Sequence, residues 1–120
     1  MSRTNPHRKA KLENRITLEL NAFLRSSVSD PRLTFVSVTH VELNKDYHYG
    51  KVYWDTFDVS KRGDAKKALG NATQALRTML SKVLPLQQVP KLDFVYDSQI
   101  ESENNIVRLL DEDGYYSDSN

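Results

Sequence analysis

The chain has no cysteine. That removes disulfide staples, thiolate metal sites and cysteine nucleophiles, and it agrees with a reducing compartment. No apolar stretch approaches the ~20 residues of a membrane-spanning helix. The opening residues Met1–Arg15 lack the apolar centre of a secretory signal. The expected location is therefore the cytoplasm, without a membrane partner. No phosphate-binding G-x-x-x-x-G-K-[ST] loop occurs, and no Ser/His/Asp set stands in a recognisable context, so no enzyme, cofactor or small-molecule substrate is expected. The three histidines are scattered. His7 lies near the start, and His40 and His48 lie where strands are expected. Two imidazoles without a carboxylate partner make a poor metal site.

What is present is a divided distribution of charge. The 120 residues suffice for one domain, and 38% are apolar, enough for a two-layer core. The net charge of +1 is the residue of large opposing blocks: +4 over residues 1–32, −2 over 33–60, +6 over 61–92 and −7 over 93–120. The positive blocks fall on segments with helical periodicity. That pattern suits a polyanionic partner, while the near-neutral total argues against indiscriminate coating of nucleic acid.

A first helix is predicted over Pro6–Ser27. Asn5–Pro6 provides its start, Leu12, Ile16, Leu20, Phe23 and Leu24 its dry face, and Ser29-Asp30-Pro31-Arg32 its stop. Two strands follow, Thr34–Leu43 and Tyr47–Val59, joined through Asn44-Lys45-Asp46. Val36 and Val38 share one parity and Val41 and Leu43 the other, which predicts a β-bulge near Thr39–Val41. Val52 and Trp54 face the core, leaving Tyr49, Tyr53 and Phe57 opposite. A helical pair is predicted from Lys61 to Leu84, bent around Gly70, Asn71 and Ala72, where helix propensity is weak. A third strand, Lys91–Asp97, places Leu92, Phe94 and Tyr96 inward. Ser98–Glu101 reads as a capping box opening a last helix to about Leu110. Residues 111–120 read as an acidic tail expected to be disordered. The fold class is α+β, with a three-stranded sheet covered by helices on one face. Residues 1–110 form the domain.

The order α-β-β-α-α-β with a C-terminal helix matches the KH-like (type II) topology. Several segments, in order, resemble the ribosome-binding factor A family: Asp30-Pro31-Arg32-Leu33, Val36-Ser37-Val38-Thr39, Val41–Asp46, Gly50–Trp54, Ala72–Arg77 and Val89–Asp97. The resemblance spans about Arg8 to Leu110. It implies a non-enzymatic bacterial factor that binds 16S rRNA in the immature 30S subunit, acts on late maturation and 5′-end processing, and matters for cold adaptation. It also implies a KH-like domain whose glycine-rich loop is replaced by an alanine-centred kink, here Ala72-Thr73-Gln74. Glutamine stands where the family favours glycine, and a glycine occurs earlier, at Gly70. The acidic ending differs from the basic extension of some family members.

The candidate RNA-binding residues are Lys61, Arg62, Lys66, Lys67, Gly70, Thr73, Arg77 and Lys82 on the central helices, with Arg8, Lys9, Lys11 and Arg15 on the first. Lysines supply point charge, and Arg77 can offer a phosphate two parallel hydrogen bonds. The residues alone leave other readings open. Basic stripes can be solvated helix faces, and Arg77 can serve its own fold. Tyr49, Tyr53 and Phe57 can stack on bases or pack across strands. Asp55, Asp58, Asp93 and Asp97 can share one sheet face. A monomer is expected; the rival reading is a protein–protein module using the open sheet and the acidic tail.

Overall fold

The computed structural model describes residues 6–26 and 30–97. Helix α1 spans Pro6–Ser26, strand β1 Val36–Leu43, strand β2 Tyr49–Thr56, helix α2 Arg62–Val83 and strand β3 Lys91–Tyr96, with short 3-10 turns at Pro31–Leu33 and Val59–Lys61. The sheet order is β1-β2-β3, with β1 antiparallel and β3 parallel to the central β2. The parallel pairing follows from α2, which carries the chain back to the start of β2's direction.

The apolar periodicities converge on one core. Ile16 and Leu20 of α1, Val38 and Val41 of β1, Val52 and Trp54 of β2, and Leu69, Leu76 and Leu80 of α2 are all buried. Leu92, Phe94 and Tyr96 of β3 are half-buried against the same cluster. The ring of Tyr96 meets Trp54 edge to face at 5.0 Å. Both helices thus cover one face, as the sequence predicts.

The bulge is present. Val38 pairs with Trp54 and His40 with Tyr53, so Thr39 is the extra residue. It allows Val36 and Val38, then Val41 and Leu43, to point into the core despite their opposite parity. Beside the bulge, Asn21 of α1 clamps the backbone of Val38. Its Nδ2 donates to the carbonyl (3.0 Å) and its Oδ1 accepts from the amide (2.8 Å). Glu13 accepts from the Leu43 amide at 2.8 Å. Side chains of α1 thereby satisfy part of an outer strand edge. At Gly50 the hairpin is close-packed: a Cβ there would stand 3.2 Å from Leu43 Cδ2, so that side chain would have to shift to admit one.

Two expectations change. The predicted helical pair is one helix of 22 residues that passes through Gly70, Asn71 and Ala72 without interruption. Ala65, Ala68 and Leu69 before the weak point, and Leu76 and Leu80 after it, are buried together. Packing of a continuous apolar face outweighs the ~1 kcal/mol of propensity lost at one glycine. The strands are also shorter than predicted: Thr34 and Phe35 lie in the turn after the first 3-10 segment, Tyr47 and His48 belong to the β1–β2 turn, and residues 57–61 turn away into the 3-10 segment capped by Asp58. The last helix, Ser98–Leu110, and the tail 111–120 lie outside the described residues.

Candidate nucleic-acid interface

Along α2, Arg62, Lys66, Gly70, Thr73 and Arg77 follow one another at three- and four-residue steps, so they share a line on the helix surface. One end of that line touches β3 and the other the segment leading into it. The Arg62 guanidinium carbon lies 4.6 Å over the Tyr96 ring. At the other end Arg77 donates from Nη2 to the Val89 carbonyl (3.0 Å) and from Nε to the Pro90 carbonyl (3.3 Å). The line therefore runs beside β3 in the opposite chain direction. Strand β3 pairs with β2 on one side and has no strand on its other edge among the described residues.

Within that line the side chains divide by what they already hold. Arg77 fastens the segment leading into β3, and Thr73 donates its hydroxyl proton to the Leu69 carbonyl at 3.0 Å. Lys66, Lys67 and Lys82 are exposed and have no ion pair among the described residues. At Gly70 a Cβ would meet nothing within 4 Å. Helix α2 thus presents open positive charge around a position stripped of side-chain bulk, the combination that admits a phosphate backbone closely. Lys61 ends the 3-10 turn just before α2, and Asn71 is exposed while Ala72 is half-buried in the core.

On α1, Arg8 and Lys11 are exposed and Lys9 is half-buried. Arg15 is engaged, its Nε 3.1 Å from Glu19 and its Nη2 donating to the Val83 carbonyl at 3.1 Å. That places a cation on the C-terminal end of α2, where unpaired carbonyls and the helix dipole favour it. The same bond brings the two basic regions together where α2 ends.

The outer face of the sheet is net acidic, with Glu42, Asp55, Asp93 and Asp97 against Lys51 and Lys91. His40 stacks on Tyr53 at 4.2 Å, and the Tyr53 hydroxyl donates to Glu42 at 3.3 Å. Thr39 donates to Asp97 at 2.7 Å. Burial, followed by the charge of Asp97, pushes the Asp55 carboxyl above its ordinary value of 3.8. Burial and the Glu42 carboxylate raise the Tyr53 phenol as well. Tyr53 is therefore packed across strands and hydrogen-bonded there. Asp58 is not part of this face: it caps the 3-10 turn, accepting from the Ser60 amide (3.0 Å) and hydroxyl (2.7 Å), which lowers its pKa. Glu42 takes its place, and the signal for it was the changed parity after the bulge. His40 and His48 do not meet in register, since His40 faces Tyr53. Near the ends of the strands, Phe57 and Phe35 are exposed, 91% and 61%.

A profile of ribosome-binding factor A matches residues 8–110. The chain belongs to that family. It is 45% identical over 107 residues to ribosome-binding factor A of Heliobacterium modesticaldum, covering 88% of each chain. It is 36% identical over 110 residues to that of Burkholderia multivorans, covering 92% of this chain and 83% of the relative. The crystal structure of ribosome-binding factor A from Thermus thermophilus superposes with a TM-score of 0.65 at 29% identity, over 73% of this chain and 93% of the other. A homology model of the Thermus protein, fitted into a cryo-electron-microscopy map of its complex with the 30S subunit, gives 0.64 at 29% identity, over 75% and 96%. Members of the ribosome-binding factor A family are not enzymes, and the chain is a non-enzymatic member with the family's α+β, KH-like fold. The one-sided sheet and the basic α2 are thus read within a family of ribosome-binding factors.

Proposed function

We propose that this chain binds 16S rRNA in the immature 30S subunit, in the cytoplasm and as a monomer, promotes late subunit maturation and 5′-end processing, and is important in cold adaptation. The observation that carries the reading is the open charge of Lys66 and Lys67 on α2 beside the bare Gly70, with Lys82 extending it about 18 Å further along the helix. A Thermus relative seated in a 30S complex supports the partner. Phosphates are held by the lysines, and the shape of the α2–β3 strip selects the site. Arg77 holds the approach to β3 for the stability of the fold, and the acidic sheet face turns RNA away from the other side.

Binding through phosphates releases counterions. With about four contacts, raising salt from 50 to 200 mM should weaken association with small-subunit precursors by roughly fifty- to 150-fold. Co-sedimentation of the full chain with precursors measures this directly, and a flat salt response overturns the mechanism. The double variant Lys66→Glu, Lys67→Glu tests the surface, since neither side chain holds the fold together. Wild-type binding by that variant removes α2 as the interface. The acidic outer face, with Glu42, Asp55, Asp93 and Asp97, favours a second reading in which a basic protein docks on the sheet. Association that survives nuclease treatment would select it.

A further inference from the structure

One groove of about 500 Å3 lies between the first half of α1, the β1–β2 turn and the segment after α2; its lining includes Arg8, Lys11, Leu12, Arg15, Tyr47 and Leu86. Arg8, Lys11, Leu12 and Arg15 recur at three- and four-residue steps, so they line it along one face of the helix. The lining contains no acid. The nearby Glu13 carboxylate is turned away to the Leu43 amide. Leu12, Tyr47 and Leu86 are half-buried and pack against the core, giving the groove an apolar floor.

Tyr47 is held there at a cost. Its φ of 65° is the only positive value of a non-glycine among the described residues, and an aromatic residue is uncommon in that left-handed region. The turn fixes it: the Tyr47 amide donates to the Asn44 carbonyl at 3.1 Å, and the Asn44 side chain accepts from the Tyr49 amide at 3.0 Å. Asparagine or glycine would suit this backbone better, so the ring is what the position supplies.

We propose that this groove is a subsite for one unpaired nucleotide of RNA, its base on the Tyr47–Leu12–Leu86 floor and its flanking phosphates on Arg8 and Lys11. Charge complementarity commits the occupant: an apolar floor under a rim carrying Arg8, Lys11 and the Glu19-paired Arg15, and no acid of its own, fits a base carried on an anionic backbone. Aromatic stacking accepts any base, so the site discriminates unpaired from paired RNA and reads no sequence. Arg15 positions the rim through its bond to Val83 and contributes charge. This inference rests on the proposed RNA binding and adds to it a contact that phosphate gripping by α2 does not provide.

The test uses the full chain and two probes, a single-stranded hexanucleotide RNA and a ribose-phosphate hexamer of the same length without bases. The wild type should bind the base-bearing probe about tenfold more tightly, with amide NMR shifts at Tyr47 and Leu86. Tyr47→Asn suits the turn, so it should fold, and it should bind both probes alike, at the weaker level. Lys11→Glu should weaken both. Equal binding of the two probes by the wild type, with precursor binding still sensitive to Lys66→Glu, Lys67→Glu, overturns the subsite and leaves the α2 interface standing. Loss of RNA binding in every assay overturns the underlying reading instead. Amide shifts at Tyr47 and Leu86 caused by deleting residues 111–120 with no RNA present, together with no binding of either probe at Tyr47 before or after that deletion, assign the groove to the chain's own acidic segment and overturn the assignment to RNA.

Discussion

Replacing Gly70 separates what the fold needs from what a partner needs. The residue lies inside α2, exposed, and a Cβ there meets nothing within 4 Å. Gly70→Ala should therefore stabilise the domain by the full propensity difference, about 0.8–1 kcal/mol. For a chain of this size that is a rise in melting temperature of roughly 3–6 °C. Gly50→Ala serves as the internal contrast: its Cβ would press on Leu43 Cδ2 at 3.2 Å, so it should gain nothing. Gly70→Gln keeps good helix propensity and adds bulk without charge. It should remain at least as stable as the wild type yet bind small-subunit precursors about tenfold less tightly, a loss of about 1.4 kcal/mol. Thermal unfolding followed by circular dichroism gives the first quantity and co-sedimentation the second. A destabilised Gly70→Ala refutes the reading of α2 as a continuous helix with open space at that position. Wild-type binding by Gly70→Gln refutes the close approach of a phosphate backbone.

The pH response of the sheet provides another test. The Asp55 carboxyl is raised above 3.8 by burial and by Asp97, so its ionised form costs folding stability at neutral pH and the cost disappears as pH falls through the carboxylate range. Asp55→Asn should thus melt higher than the wild type at pH 7, with the two curves converging near pH 4; a difference that persists unchanged at pH 4 refutes the assignment. Arg77→Lys keeps the charge but cannot reproduce a planar fork on two carbonyls. It should destabilise by about 1–2 kcal/mol in chemical denaturation, while precursor binding well below the melting temperature changes little. The reverse pattern, intact stability and lost binding, would place Arg77 in the RNA contact.

Local periodicity carried most of the architecture. The parity change between Val38 and Val41 announced the bulge, and the apolar steps of both helices announced their buried faces. The unbroken course of α2 was hidden because glycine's weakness is a local quantity, whereas the compensation comes from Leu69 and Leu76 packing on a sheet built elsewhere in the chain. The groove was half legible. Arg8, Lys11 and Arg15 stood out as a stripe, but nothing in the sequence says that Tyr47 occupies a left-handed turn position beside them. Leu86 reaches the same place only because α2 ends against α1.

The division between arginine and lysine explains why a charge count overstates the interface. Four arginines in or beside the basic segments are occupied by the fold: Arg15 with Glu19 and Val83, Arg32 with Asp30 at 2.8 Å, Arg62 with the Tyr96 ring, and Arg77 with Val89 and Pro90. Three of those partners are backbone carbonyls 68, 12 and 13 residues away, invisible to any pattern of nearby acids. A guanidinium suits this work because its fixed fork and weak hydration allow it to sit on carbonyls and ring faces. An ammonium on a flexible stem is strongly hydrated and stays in water, which leaves Lys66, Lys67 and Lys82 available. These four arginines thus build the surface, and the lysines, with Arg8, charge it. A positive stripe read from sequence gains its functional meaning only after the arginines engaged by carbonyls and rings are subtracted.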